Sequence, residues 1–477
     1  MSWFRKTKIE PEVRKRSSVD GIRLVLRTQK KAAKGVKTNI FMTTATVIFA
    51  CAIILVTSFY ATVAVYAVKN KADALKIFKQ GTYLVLFQNN AEMRPAGGFI
   101  GSFAIVTFDN YKIKKIDFNT NIFKLDNAYT AKTQVVPPTP LAIIAQNRWA
   151  LRDSNFAVDF PTAAQNVQWF YAQETKDALN PQDMGQKVDG VIAINASLLQ
   201  DFLRLTGPIN MEKYDITISA DNFFEVLAQK IEKEYFNDLS AQGENEPKTI
   251  LKDMMPIVMA RATDLPKAKL IKFGLDALNQ KLVLFQSNNA GIQQAILNNN
   301  WGGEIQDTKS DYLAINNANI TDLAMQKNGG AKTSLKIKES IDYKVESDEA
   351  GLVGRLSLTR SHTGSYAWPD GVNVNWTRIL VPQGTELIRA ELNGQDIKDK
   401  VEVGSESGKT VFGLWINTAP QTSNVLNLTY KLPIPTSNYS LLVQKQPGNT
   451  GDQLSATFKD AVLYNGWFNE DLSLKLK

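Results

Sequence analysis

The sequence predicts an α/β domain, a mixed sheet with helices, followed by an all-β sandwich, with one transmembrane helix ahead of both. Three observations predict it. An uncharged apolar run lies between Thr38 and Val68. Strand-like runs then alternate with helical patterns from Tyr83 to about residue 330. Beyond that, short strand-like runs recur at roughly ten-residue spacing, as in a sandwich.

The chain has 477 residues and a formal net charge of +8. That excess is local. Residues 1–37 carry twelve Lys and Arg against Glu10, Glu12 and Asp20, so the body beyond them is close to neutral. A near-neutral body argues against nucleic acid as its partner. From Phe41 to Val68 the chain is rich in Ala, Val, Ile, Leu and Phe, with Tyr60 and Tyr66 near the far end. A bilayer core needs about 20 such residues, and interfacial aromatics are common at its margins. The run is about twice the length of a signal-peptide core. The expected organisation is a basic cytoplasmic tail over 1–37, a transmembrane helix over 38–68, an extracytoplasmic α/β domain over 69–330 and a β-sandwich over 331–477. Basic residues stay on the cytoplasmic side of a span. The single cysteine, Cys51, falls inside the apolar run, so the body has no disulfide and depends on a hydrophobic core.

The α/β part opens with three strands. Tyr83–Gln88 and Phe103–Phe108 are apolar, and Lys112–Phe118 alternates. Asp109-Asn110 supplies the turn between the last two. Between the first two lies a loop holding Glu92, Arg94, Gly97, Gly98, Gly101 and Ser102. Glycines let successive N–H groups converge on one anion, and an arginine adds a charged fork. The expectation is a concave, electropositive spot faced by Arg94. The competing expectation is a plain turn with a Glu92–Arg94 salt bridge.

Val135-Val-Pro-Pro-Thr-Pro140 reads as an extended crossing loop. In Trp149–Phe160, WALRDSNFAVDF, the oxygens of Asp153, Asn155 and Asp159 can hold a hard cation. They can equally form an Asx-turn flanked by buried aromatics. Pro161–Leu179 reads as a helix. Val188–Ile194 is an apolar strand leading to the helix Ala196–Leu205, which Gly207-Pro208 ends. Helices follow over Ser219–Leu239, Lys248–Thr263, Lys267–Asn279 and Gly291–Asn299, with a strand at Lys281–Gln286 and a last α/β strand at Asp311–Asn316. Tyr366, Trp368 and Trp376 lie in or beside one loop of the β part. Exposed, they make a carbohydrate-stacking platform; buried, they cap the sandwich.

The chemistry available is narrow. His362 is the single histidine, so zinc sites built on several His or Cys are excluded by count. No phosphate-loop or dinucleotide-loop string occurs. What remains is carboxylate, arginine and backbone chemistry, with Glu92, Arg94, Asp126, Arg152, Asp153 and Asp159 as candidates. No metal or cofactor is expected on that basis.

Four strings carry a resemblance: NNAEMRPAGGFIGS from Asn89, the WALRDSNFAVDF string, VDGVIAI from Val188, and KQPG from Lys445. Together they resemble the bacterial envelope family known as domain of unknown function 4012. The V-D-G strand and the helix after it are locally similar to the LytR–CpsA–Psr envelope phosphotransferases. That second resemblance implies arginines on a lipid-linked pyrophosphate and magnesium on aspartates, with Arg94 as the first arginine. Where that pattern has Arg-Ser-Asp-Thr, this chain has Gly98-Phe99-Ile100-Gly101-Ser102. The expected function is a single-pass, membrane-anchored envelope protein that binds an envelope polysaccharide or another envelope protein. The alternative is a glycopolymer phosphotransferase with a rearranged site, which would use magnesium.

Overall fold

Strand β1 (Gln80–Asn89) pairs antiparallel with β2 (Phe99–Asp109), and β2 with β3 (Lys112–Asn119). A two-residue loop at Asn110-Tyr111, both with positive φ, closes the second hairpin. In this computed structural model the described residues are 73–119, 121–176, 187–234, 249–322, 330–349, 351–435 and 437–476. The basic tail and the apolar run expected to span the membrane lie outside them. Among the described residues no helix is long and apolar enough to cross a membrane.

The first sheet is completed by β4 (Gly190–Asn195), parallel to β1, while β5 (Ile209–Met211) and β6 (Ile216–Ile218) form a separate hairpin. β7 (Val283–Ser287) runs antiparallel to β4, giving the order β3-β2-β1-β4-β7. Alternation along the central strands feeds two cores. Leu84, Leu86, Val191 and Ala193 pack under the helix Phe160–Thr175 through Ala163, Val167 and Phe170. Tyr83, Val85, Ile192 and Ile194 pack on the other face against Leu75, Phe78, Ala277 and Ile296. With both faces covered, β4 is buried at every position, which explains its unbroken apolar sequence.

The C-terminal part is β-rich. It contains β8 (Asp311–Asn319), β9 (Ile337–Asp348), β10 (Gly351–His362), β11 (Asn373–Pro382), β12 (Glu386–Leu392), β13 (Gln395–Asp396) and β14 (Glu402–Glu406). β15 (Lys409–Thr418), β16 (Ser423–Leu432), β17 (Ser440–Gln444), β18 (Asp452–Phe458), β19 (Ala461–Phe468) and β20 (Leu472–Lys475) follow. They form a seven-stranded sheet, β13-β12-β16-β10-β9-β18-β19, and a six-stranded sheet, β14-β15-β11-β8-β17-β20. Ile341, Leu356 and Leu428 of the first share one cluster with Leu313, Ile379 and Phe412 of the second. Each such side chain contributes roughly 1.5–3 kcal/mol by burial.

Three expectations need correction. Asp311–Asn319 is not the last strand of the α/β sheet; it pairs with β11 and β17 inside the six-stranded sheet. Its pairing is set by residues far along the chain, which local sequence does not encode. The expected helix Ser219–Leu239 is a helix over Phe223–Ala228 and a π-turn over Gln229–Glu234, with residues 235–248 outside those described. The aromatic trio divides: Trp376 sits in β11 and is 5% exposed, whereas Tyr366 is 63% exposed.

Candidate functional site: a motif joint and an open cleft

The glycine loop after β1 is keyed between the two parts of the molecule. Arg94 is buried. Its Nε donates to Asp153 Oδ1 at 2.8 Å, and its Nη1 donates to the Asn319 carbonyl at the end of β8 at 2.8 Å. Met93 accepts from the Asn319 N–H, and Asn316 Nδ2 donates to the Pro95 carbonyl at 3.0 Å. Gln446 Nε2 donates to the carbonyls of Arg94 and Asn317. Asn90 Nδ2 donates to Ser197 Oγ and to the Gly448 carbonyl. Asn155 Nδ2 donates to the Gly98 carbonyl at 2.7 Å. Three of the four strings singled out in the sequence, those from Asn89, Trp149 and Lys445, therefore meet in one buried knot, with Ser197 just beyond the VDGVIAI string, and their amides satisfy one another's backbone.

This overturns the expected anion spot at the glycine turn. Arg94 faces Asp153 and backbone carbonyls, not an open concavity. The glycines serve close approach instead: a Cβ on Gly448 would overlap the Gly97 carbonyl, and one on Gly97 would overlap Gln88 Oε1. Gly101 and Ser102 belong to β2. Gly101 is the extra residue of a bulge, and Ser102 pairs with Phe87. The local salt bridge was also misassigned. Glu92 pairs with Lys332 rather than Arg94. Burial pushes its carboxyl up, but the Lys332 and Arg94 charges outweigh this and hold it below the usual range.

A second buried group adjoins the joint. Arg152 Nη1 lies 3.3 Å from Asp126 Oδ2, and its Nε lies 3.6 Å from Asp153 Oδ2. Glu174 adjoins Asp126, and its Oε1 accepts the Leu151 N–H at 2.7 Å. Burial and the Asp126 charge push the Glu174 carboxyl up to about 10, so it stays protonated at neutral pH. Burial also raises Asp126, to about 6. The sequence reading missed Glu174. Its position on the apolar stripe of its helix, in register with Ala163, Val167 and Phe170, was the available signal.

The aspartates do not fit a magnesium site. Asp153 and Asp126 face arginines, and Asp159 caps the helix Phe160–Thr175 through Thr162 while accepting the Ile305 N–H. Among the described residues no group of three or more His, Cys, Asp or Glu is arranged to hold a metal ion. His362 is equally committed: its Nε2 donates to the Gly371 carbonyl and its Nδ1 accepts the Gly364 N–H, both at 2.9 Å. Burial holds it neutral, below its usual pKa.

Space for a ligand lies elsewhere. A cleft of about 410 Å³ opens between the α/β part and one face of the six-stranded sheet at its β14 end. Pro138 and Pro140 form one wall, and β14 with Val411 and Gly413 of β15 forms the other. Trp149, Phe156 and Trp376 supply its apolar surface. Arg378 lines it as well, with Nη1 on Glu406 Oε2 at 2.8 Å and Nη2 on the Phe156 carbonyl at 3.2 Å. Its buried Nε has no hydrogen-bond partner among the described residues. The volume is in the range of small-ligand sites. The sequence did not indicate this cleft, because its walls come from segments more than two hundred residues apart.

The fold and the joint define a protein whose α/β body is locked to a β-rich part through a motif loop. Residues 79–231, about a third of the chain, match the family model described as "Protein of unknown function (DUF4012)". Three of the four strings fall within the match; KQPG lies outside it yet closes the same knot. No curated protein matches the chain. Among solved structures, a candidate nutrient-binding protein of Legionella pneumophila aligns at 8% identity and TM-score 0.18, covering 25% of this chain and 50% of that one. Legionella pneumophila aminopeptidase A aligns at 13% identity and TM-score 0.17, covering 26% and 16%. A mutant M1 zinc metallopeptidase of Deinococcus radiodurans aligns at 14% identity and TM-score 0.17, covering 30% and 40%. The chain spans half or less of each of these proteins. Likenesses of this size establish no shared fold.

Proposed function

We propose that this chain is a single-pass, membrane-anchored protein of the bacterial cell envelope, with its body outside the membrane. There it binds an envelope polysaccharide or another envelope protein without catalysis. The cleft carries this proposal. It is the place where apolar surface, the exposed Glu402 carboxylate and open volume coincide. The tether rests on the basic segment 1–37 and the uncharged run after it. The phosphotransferase alternative is disfavoured by the joint. Arg94 and Arg152 face Asp153 and Asp126, so the charge a pyrophosphate would need is already neutralised.

Two measurements on the full chain test the proposal. Protease applied to intact cells should remove the body and leave the basic tail protected. Full-length protein in detergent should co-sediment with an isolated envelope fraction, and Glu402→Lys at the cleft should weaken that association. Recovery of the whole chain in a soluble fraction would overturn the tether. Transfer of a glycopolymer from a polyprenyl pyrophosphate by the purified protein would overturn the non-catalytic reading.

A further inference from the structure

We propose that Lys281 and Asp471 condense to an intramolecular amide, a covalent brace between the α/β part and the β-rich part, with Glu304 as the group that moves the protons. Lys281 lies just before β7 of the first sheet, and Asp471 lies in the connection from β19 to β20. Lys281 Nζ sits 2.7 Å from Asp471 Oδ1, and the two side chains are 2% and 10% exposed. Among the described residues this is the most buried lysine–carboxylate pair. The arginine pairs of the joint cannot follow the same course, because a guanidinium keeps its proton and is no nucleophile.

The surroundings favour condensation over a plain ion pair. Lys281 holds a φ of 54°, a left-handed conformation that long side chains seldom adopt. Glycine or asparagine would relieve that turn, so the strain is kept for the sake of the side chain. Asp471 Oδ1 also accepts the Lys445 N–H at 2.9 Å, and its Oδ2 accepts from Gln306 Nε2 at 3.2 Å. Both donors draw electron density from Cγ, the atom an amine attacks. Taking an ammonium and a carboxylate out of water costs free energy that a neutral amide avoids. The other amine nearby, Lys445 Nζ, is spent on the carbonyls of Gln280 at 2.7 Å and Gln446 at 3.1 Å.

Glu304 completes the chemistry. Its segment runs beside Asp471, as the Gln306 contact shows. Its Oε2 is buried and has no hydrogen-bond partner among the described residues. Burial pushes its carboxyl up to about 7; its own backbone N–H and Lys281 pull it down, and Asp471 and Asp159 push it up. A carboxyl so placed takes and returns protons near neutral pH. The step balances without a co-reactant. Glu304 takes a proton from the Lys281 ammonium, and the free amine attacks Asp471 Cγ. A C–N bond forms. Glu304 relays the two protons that the nitrogen loses, one after the other, to a carboxyl oxygen. The C–O bond breaks, one water leaves, and Glu304 ends as it began. Holding amine and acid in contact supplies the orientation that free solutes lack. The single cysteine is Cys51, so no disulfide ties these two parts together.

Full-length protein purified in detergent is denatured and its intact mass measured by mass spectrometry. The parent should fall below its sequence mass by one water, and a proteolytic digest should contain a branched peptide joining Lys281 to Asp471. Lys281→Arg keeps the charge and the ion pair but cannot condense, so it should show its full mass. Glu304→Gln removes the proton relay and should show mostly full mass, with cooperative urea unfolding retained. A parent of full sequence mass, with Lys281 and Asp471 in separate peptides, would overturn the proposal and leave an ordinary ion pair. So would a water loss that maps to Asp189-Gly190 or Asp370-Gly371, where an Asp-Gly succinimide gives the same mass. Complete condensation in Glu304→Gln would overturn the role given to Glu304.

Discussion

The motif joint and the cleft both lie where the α/β part meets the β-rich part, and both are built from arginine, carboxylate, amide and aromatic groups. They differ in what those groups face. In the joint, Arg94 is 4% exposed and bonded to Asp153 and to the Asn319 carbonyl. In the cleft, β14 is exposed over four of its five residues, and among the described residues Glu402 makes no ion pair. The more distinctive sequence belongs to the region that holds the molecule together. A glycine- and amide-rich string needs either a ligand or another backbone to satisfy it. Here the partner is the KQPG turn and the end of β8.

The largest expected effect breaks the joint. Arg94→Ala leaves Asp153 buried without its main counter-charge, a loss of about 3–5 kcal/mol for a buried pair. Urea unfolding of the full chain in detergent should show a large drop in midpoint. Arg94→Ala combined with Asp153→Ala should recover part of it, because the orphaned charge goes too. A change under ~1 kcal/mol in the single variant would mean that Arg152, 3.6 Å from Asp153, takes over.

Next comes a pair of glycines. Gly448 has φ of +75°, and an added Cβ would overlap the Gly97 carbonyl. Gly448→Ala should cost about 1–3 kcal/mol through strain. Gly404, on β14, has no atom within 4 Å of an added Cβ. Gly404→Ala should leave the melting temperature level or slightly higher, since alanine restricts the unfolded chain. Equal losses at both positions would dissolve the contrast between filled joint and open cleft.

The sequence displayed much of the fold and little of the cleft. The strands from Gln80 to Asn119, β4 with its helix to Gly207, and seven strands after residue 336 were legible from local apolar pattern and turn residues. β8 was seen as a strand but placed in the wrong sheet. It is buried at all nine positions although it contains Asn316, Asn317 and Asn319. Those amides are tolerated because Pro95, Glu339 and Ala331 receive their N–H groups. Such compensation is tertiary and leaves no periodic trace. The same holds for the candidate site. Arg94 and Asp153 were singled out for their chemistry, but only the fold shows that they neutralise each other.

The acid pair beside the joint gives a smaller, pH-dependent effect. Glu174 holds a proton in the native chain up to about pH 10, whereas the unfolded carboxyl releases it near 4.5. The native state therefore binds more protons between those values, and stability falls as pH rises through that window. It is fully present below the unfolded value. Glu174→Gln removes this slope, and its side-chain carbonyl can still accept the Leu151 N–H. The Tm advantage of the variant over the parent should widen steadily between pH 6 and pH 9. Parallel curves would show that Glu174 is ionised in the native chain.

The smallest expected effect on stability is at Glu402. Its side chain is exposed on β14, and among the described residues it makes no ion pair. Glu406 makes the useful contrast: its carboxylate holds Arg378 and accepts the Val158 N–H, so it serves the fold as well as the cleft. Removing a solvated charge that holds nothing should change unfolding free energy by less than ~0.5 kcal/mol. Glu402→Gln preserves size and polarity, so any change in binding reports charge alone. If the cleft holds the envelope partner, the variant should co-sediment with the envelope fraction less than the parent does at low salt. The difference should shrink at high salt, because an exposed charge acts through screened electrostatics. A variant that loses stability instead would place Glu402 in the scaffold, and the line between structural joint and functional cleft would have to be redrawn through β14.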